Sequence, residues 1–283
     1  MVYVLKQKTI AFLGAGNMAE AMISGMIQTE KVPANQIIVT NKCNYDRLNI
    51  LEDKYGVRTA PITELPYKEI DFLILAMKPK GAEETLSTIK DLLPSNQVVI
   101  SVLAGITTSF MEERLNTGQE VIRVMPNTSS MIQESATAMS LGTYTNEDNA
   151  DAVNELLECM GEVYVIEEDQ MDIFTGIAGS GPAYFYYLME QMENVGKVSG
   201  MNDKMARKIA AQTVYGAAKM IMEKEEAPAE LIDNIVSPNG TTAAGLDALK
   251  KHNGGEAITQ AINNAAKRSK EISKELDGVL VPS

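Results

Sequence analysis

The chain has 283 residues, 45% hydrophobic and 22% charged, with 25 Lys and Arg against 38 Asp and Glu for a net charge of −13. That length suits about two domains with full cores, and the acidity, with no basic stretch, excludes nucleic acid as an expected partner. No apolar run approaches the roughly 18–20 residues of a membrane span and no signal-peptide segment opens the chain, so no membrane is expected; Cys43 and Cys159, far apart and without ligand-like neighbours, read as free thiols in a reducing cytoplasm, with no metal site.

Thr9–Leu13 is a short apolar run of strand type. Gly14-x-Gly16-x-x-Ala19 follows it directly, and a helical pattern then runs to about Gln28. In such a turn Gly14 allows the tight bend, Gly16 lets the backbone approach a pyrophosphate, and the small Ala19 permits close helix–strand packing. A helix starting at Asn17 and Met18 aims free N–H groups and its positive end at the phosphates. An acidic chain must hold an anionic dinucleotide by such local dipoles and a few cations. A plain glycine-rich turn is the bland alternative.

Further strands are expected at Gln36–Thr40, Phe72–Met77, Gln97–Val102, Val121–Met125, Ala136–Ser140 and Val163–Ile166. Helices are expected between them at Tyr45–Tyr55, Ala82–Leu93, Thr107–Leu115 and Ala150–Met160. This alternation implies a parallel doubly wound sheet over residues 1–165, the dinucleotide-binding domain. From about Asp169 the strand signals stop. Met205, Ile209, Thr213, Ala217 and Met220/Ile221 recur at helical spacing, as do Ile258, Ala261/Ile262, Ala265, Ile272 and Leu276, so residues 166–283 read as an all-helical domain. Within it Ala183–Met189 is apolar on every side and must be covered all round. A second subunit is the expected cover, and the centre of a monomeric bundle is the alternative.

Several segments carry chemistry. After the second strand an NAD-preferring site places a carboxylate on the ribose hydroxyls. This chain has Thr40-Asn41-Lys42 there, with Arg47 a little further on. Asn41 and Lys42 can bond or pair with a 2′-phosphate, which favours NADPH. Lys42 as a solvated loop cation, with NADH also bound, stays open. Ala76-Met77-Lys78-Pro79 and Ala104-Gly105 lie at C-terminal strand ends, where ligands of open α/β sheets collect. Asn127 follows the fifth strand and either serves the nicotinamide or substrate, or caps the turn. Gly176–Tyr184 reads as a break between helices, with Pro182 suited to a first helical turn. A second break, Ser237-Pro-Asn-Gly-Thr-Thr242, precedes a helix to about Lys250. Hydroxyls and bare N–H groups at a helix start form an anion site suited to a carboxylate, or simply a capped turn.

The only histidine, His252, lies in a helix-ending loop, and Gly179–Val195 contains no lysine. Alcohol dehydrogenation usually needs such a base. A protonated imine, whose carbon is already electrophilic, needs little acid–base help.

Gly14-Ala-Gly-Asn-Met-Ala19, Ala76-Met-Lys-Pro79, Arg123-Val-Met-Pro-Asn-Thr128, Gly179-Ser-Gly-Pro-Ala-Tyr184 and Asp233–Thr242 together resemble the pyrroline-5-carboxylate reductase family, in the family's order and over almost the whole chain. Asn239-Gly240 stands where the family usually has Gly-Gly, and Asn tolerates left-handed backbone. The resemblance implies NADPH- or NADH-dependent reduction of 1-pyrroline-5-carboxylate to L-proline, the last step of proline synthesis. It implies a Rossmann-like N-terminal domain, an all-α C-terminal dimerisation domain, and homodimers, with decamers as a further level of assembly. By position, Ser237, Asn239, Gly240, Thr241 and Thr242 would bind the substrate carboxylate through backbone amides. Thr242 would hydrogen-bond the ring nitrogen or a water serving it. Glu225 corresponds to an acidic residue lining the substrate site, and Asn41 and Thr63 to positions near the adenosine ribose or its phosphate. Two competing readings are a β-hydroxyacid dehydrogenase, which would need the missing lysine, and a non-enzymatic nucleotide sensor.

Overall fold

The structure is a computed structural model that describes residues 5–278. Eight strands form one sheet: β1 (Ile10–Leu13), β2 (Ile37–Thr40), β3 (Arg58–Thr59), β4 (Phe72–Leu75), β5 (Val98–Ser101), β6 (Glu120–Met125), β7 (Ser135–Leu141) and β8 (Gly161–Val165). Their order is β3-β2-β1-β4-β5-β6-β7-β8. The chain thus winds outward from β1 in both directions, as the alternation predicts.

Each central strand is apolar on both sides. Ile10 and Phe12 of β1 enter one core layer, and Ala11 and Leu13 enter the other. Phe72 and Ile74 of β4 are likewise separated from Leu73 and Leu75. Successive side chains point to opposite faces, so a strand covered on both reads as an unbroken apolar run. Helices α1 (Asn17–Gln28), α2 (Tyr45–Tyr55) and α5 (Glu147–Leu157) close the first layer. Helices α3 (Ala82–Ile89) and α4 (Thr108–Arg114) close the second.

Three features differ from expectation. β7 runs antiparallel to β6. Only a short 3-10 turn, Thr128–Ile132, joins them, whereas parallel neighbours need a crossover of a dozen or more residues. The two-residue β3 extends the edge beside β2. The glycine-rich stretch after α6 (Met171–Phe174), expected as a break between helices, holds a π-helical turn at Thr175–Gly179 that leads into α7 (Gly181–Val198). Small residues let the backbone widen there, and such turns recur at functional sites.

By contacts, the sheet-based unit runs to Gly179 and takes in the chain again from Ala265, while Ser180–Asn264 forms a second unit. This division lies later than residue 165 because Asp172 and the chain's last helix, α11 (Gly254–Leu276), pack into the sheet-based unit. The Ser269 hydroxyl donates to Asp172 at 2.7 Å, and Leu276 packs on the second core layer. Gly105, buried with φ +80°, makes room for that helix. A Cβ on Gly105 would lie 2.8 Å from Ile272 Cγ2.

The second unit is helical throughout: α7, α8 (Asp203–Glu223), α9 (Pro228–Ile235), α10 (Thr241–Lys251) and the start of α11. α7 and α8 form a hairpin in which Gly196 meets Ala206 and the buried Glu193 is gripped by Arg207 (2.8 and 2.9 Å) and Lys197 (2.7 Å). Those two cations hold the Glu193 carboxyl at about 2, well below the usual range. Among the described residues of this unit, only Ala206 and Ala210 are buried apolar side chains. Phe185, Tyr186, Tyr187, Leu188, Ile209, Met220 and Met222 are all exposed on the single chain. A five-helix unit with two buried alanines has no core of its own.

Candidate cofactor and substrate sites

Most dinucleotide candidates lie at the C-terminal ends of β1, β2 and β4, with Thr63 beyond β3 and Ala104-Gly105 beyond β5. Gly14 has φ +122°, and a Cβ there would lie 2.6 Å from the Ala76 carbonyl carbon and 2.7 Å from the Met77 nitrogen. The bend after β1 therefore packs backbone to backbone against the end of β4. The Gly14 N–H donates to the Thr40 carbonyl (3.0 Å), and the Ala76 N–H to Leu13 (2.9 Å). Gly16 caps α1 without any side-chain acceptor on its first N–H groups. Gly16 and Asn17 are exposed and Met18 is half-buried. A cradle of bare amides that follows a bend with no room for a side chain at Gly14 fits a pyrophosphate. Lys78 is exposed, and Pro79 opens the 3-10 turn into α3. Ala104 is exposed beside Gly105, whose own lack of a side chain is explained by α11.

The loop after β2 is built by Asn41, whose Oδ1 accepts from the N–H groups of Cys43 (3.2 Å) and Asn44 (3.1 Å). Its side-chain NH2 is left to donate outward. Asn44 then caps α2 by accepting from the Arg47 N–H at 3.0 Å. Lys42 is exposed and pairs with Glu84 at 2.8 Å. Thr63 is exposed in the 3-10 turn beyond β3.

Arg47 is committed elsewhere. Its Nε donates to the Ala15 carbonyl (2.9 Å), and its terminal nitrogen pairs with Glu20. Glu20 also accepts from Lys54 (2.9 Å) and Tyr55 (3.0 Å). This brace ties α1 and α2 to the glycine turn, and the pattern along the chain gives no hint of it. Lys54 first, then Arg47, hold the Glu20 carboxyl at about 2. A depressed carboxyl stabilises the fold above its unfolded pKa and stops doing so as pH falls through the folded value. The stability gap between the wild type and Glu20→Gln is therefore expected to narrow as pH drops from about 4.5 towards about 2. Denaturant titrations at each pH check this, and a constant gap would refute it.

Asn127 caps the turn after β6, accepting from the Ser129 N–H (2.9 Å), and also donates from its side chain to the Ala178 carbonyl of the π turn (3.0 Å). Arg123, buried in β6, pairs with Glu168 at 2.5 Å.

In the helical unit the Ser237–Thr242 segment links α9 to α10. Asn239 is left-handed (φ 59°), and the Gly240 N–H donates to the Ser237 carbonyl at 2.9 Å. A Cβ on Gly240 would press on that carbonyl at 3.0 Å as well as on the Ser237 hydroxyl. Gly240 caps α10 with no side-chain hydrogen bond, which leaves the first-turn amides of Thr241 and Thr242 without intrahelical partners. Ser237, Asn239 and Thr241 are exposed and Thr242 half-buried. Such a turn can take a carboxylate. Glu225 is exposed in the α8–α9 connection, and His252 ends α10.

A pyrroline-5-carboxylate reductase 1 from Bacillus subtilis (strain 168) is 57% identical over 282 residues, 100% of this chain and 95% of its own. The chain belongs to the pyrroline-5-carboxylate reductase family. A model of that family's dimerisation region matches residues 168–272, and one described as NADP oxidoreductase, coenzyme F420-dependent, matches residues 9–105. A solved pyrroline-5-carboxylate reductase from Coxiella burnetii superposes with a TM-score of 0.86 at 31% identity, over 95% of this chain and 99% of its own. The pyrroline carboxylate reductase of Plasmodium falciparum, solved with NADP bound, gives 0.85 at 26%, over 95% and 99%. Membership explains the uncovered helices, since the dimerisation region spans α7 to α10 and most of α11. The N-terminal half is an NAD(P)-binding oxidoreductase domain. Among the described residues no helix is long and apolar enough to cross a membrane.

Proposed function

We propose that the protein reduces 1-pyrroline-5-carboxylate to L-proline, with NADPH preferred over NADH. Family membership supports the reaction, and one observation carries the assignment of residues. Each half has a helix start with bare amides beside a glycine that a side chain would crowd: Gly14–Met18 for the dinucleotide and Ser237–Thr242 for the carboxylate. Residues 1–165 serve the cofactor, through Gly14, Gly16, Asn17, Met18, Asn41, Lys42, Thr63, Ala76–Pro79, Ala104 and Gly105. Residues 166–283 serve the substrate and assembly. A reduced nicotinamide supplies hydride to the carbon of the protonated imine, and C=N becomes CH–NH. The ring nitrogen is protonated beforehand, so orientation supplies most of the rate. The first-turn amides of Thr241 and Thr242 hold the carboxylate, while the Gly240 N–H is used within the turn on the Ser237 carbonyl; Thr242 holds the ring nitrogen or its water, and Glu225 lines the site. The assembly unit is a homodimer formed through α7 and its neighbours, from which decamers are built, in a reducing cytoplasm that keeps Cys43 and Cys159 as thiols.

Oxidation of NADPH by pyrroline-5-carboxylate, with no turnover of hydroxyacids and oxidised cofactor, is the expected result. No change with either substrate would favour a nucleotide sensor. Thr242→Ala is expected to lower turnover by about 100-fold at most, the low end of general acid catalysis. An unchanged turnover and Michaelis constant would remove the whole loop from the site. A far larger loss with binding intact would make Thr242 the principal proton donor.

A further inference from the structure

The loop after β2 offers a 2′-phosphate fewer partners than its composition suggests. Asn41, its Oδ1 used within the loop, has only its uncharged NH2 to offer, and Arg47 is held by Ala15 and Glu20. Lys42 is the cation left, and its ammonium lies 2.8 Å from Glu84 Oε1. Glu84 stands in the first turn of α3, where the helix's positive end favours a carboxylate. β2 and β4 flank β1, so a contact from the loop after β2 to the helix after β4 crosses the end of β1, beside the glycine turn. Both partners are open to solvent, with side-chain exposures of 77% and 73%, so the pair is weak and exchangeable. Glu84 holds the Lys42 ammonium charged, raising its pKa.

We propose that Glu84 is a specificity-determining residue that competes with the 2′-phosphate for Lys42 and so moderates the preference for NADPH over NADH. The inference rests on the reading that Lys42 meets that phosphate. With NADH, Lys42 stays on Glu84 and the pair is unchanged. With NADPH, Lys42 turns to the phosphate, and Glu84 is left as an uncompensated carboxylate near a second anion. Glu84 therefore weakens NADPH binding twice over, by holding the cation and by facing the phosphate, and leaves NADH almost untouched.

Calorimetric titration of NADPH and NADH into the full-length protein without imine, using wild type, Glu84→Gln, Lys42→Gln and the double variant, tests this. Glu84→Gln is expected to raise the ratio of NADH to NADPH dissociation constants about two- to fivefold, the scale of an exposed ion pair. The change should appear in the NADPH constant and shrink at high salt. Lys42→Gln should lower the ratio, and most of the Glu84→Gln gain should vanish in its background. If Lys42→Gln lowers the ratio but Glu84→Gln does not raise it, the competition is refuted while the phosphate reading stands. An undiminished gain in the double variant would also refute it, leaving only a general field effect. If Lys42→Gln leaves the ratio unchanged, the phosphate reading itself fails and takes the inference with it. Thermal melts of each variant exclude loss of fold as the cause.

Discussion

Gly14→Ala is expected to weaken NADPH binding by about 100-fold or more while the sheet stays folded. Two costs combine at this residue. Its φ of +122° is a backbone state that L side chains rarely adopt, worth about 1–3 kcal/mol. The added methyl would also sit 2.6 Å from the Ala76 carbonyl carbon, which belongs to backbone and cannot swing aside. Relief requires the turn to move off the end of β4, and that movement displaces the amides of Gly16 and Asn17. β1 itself has no reason to melt, because Ile10–Leu13 are buried on both faces. The enhancement of NADPH fluorescence on binding measures the affinity, and circular dichroism reports the fold. Wild-type affinity in a folded variant would mean that the dinucleotide does not use this turn.

Tyr187→Asp is expected to break the assembly and abolish reduction of the imine. Tyr187 lies mid-way along α7 and is 68% exposed on the single chain. It precedes Glu193 by six positions, about 240° around the helix at ~100° per residue, so it points away from the α7–α8 seam. The face it occupies, with Leu188 and Val195 within about 100° of it, is exposed in a unit that buries only Ala206 and Ala210 as apolar side chains among the described residues. A carboxylate placed in a dry subunit contact without a partner costs several kcal/mol. Light scattering is expected to give the monomer mass at micromolar concentration. Dinucleotide binding should persist, because the sheet-based unit has its own two-layered core. A Tyr187→Asp protein that kept its mass and activity would place the interface elsewhere.

Much of the sheet unit can be read from the sequence because its signals are local. α1 and α2 fall at Asn17–Gln28 and Tyr45–Tyr55 as predicted. Asn44 caps the second by a side-chain hydrogen bond, and Gly56 ends it in the left-handed conformation (φ 70°). Strand direction is not local. Nothing within Ser135–Leu141 says that it runs antiparallel; only the shortness of its link to β6 does. Two residues of β3 are too few to show a period.

Gly14 and Gly240 stand out in the sequence because the first answers to a positive φ and a close approach and the second to a close approach. The side chains around them are less legible. Arg47 stands a few residues past the loop after β2, but Glu20, 27 residues earlier, claims it. Lys42 and Glu84 are 42 residues apart and meet only because β2 and β4 flank β1. Glu193 would read as a solvated charge on α7, yet it is buried against Arg207 and Lys197. Gly176–Gly179 signals a break between helices, and only coordinates show that the break is a π turn.

The central claim is hydride delivery from a bound nicotinamide to the imine carbon of a cyclic amino acid. Its most direct test incubates the protein with pyrroline-5-carboxylate and NADPH deuterated at the hydride-donating carbon, and analyses the product by mass spectrometry and NMR. L-Proline carrying one deuterium on the former imine carbon is the predicted result. Proline without the label, or unreacted imine beside intact NADPH, would contradict it.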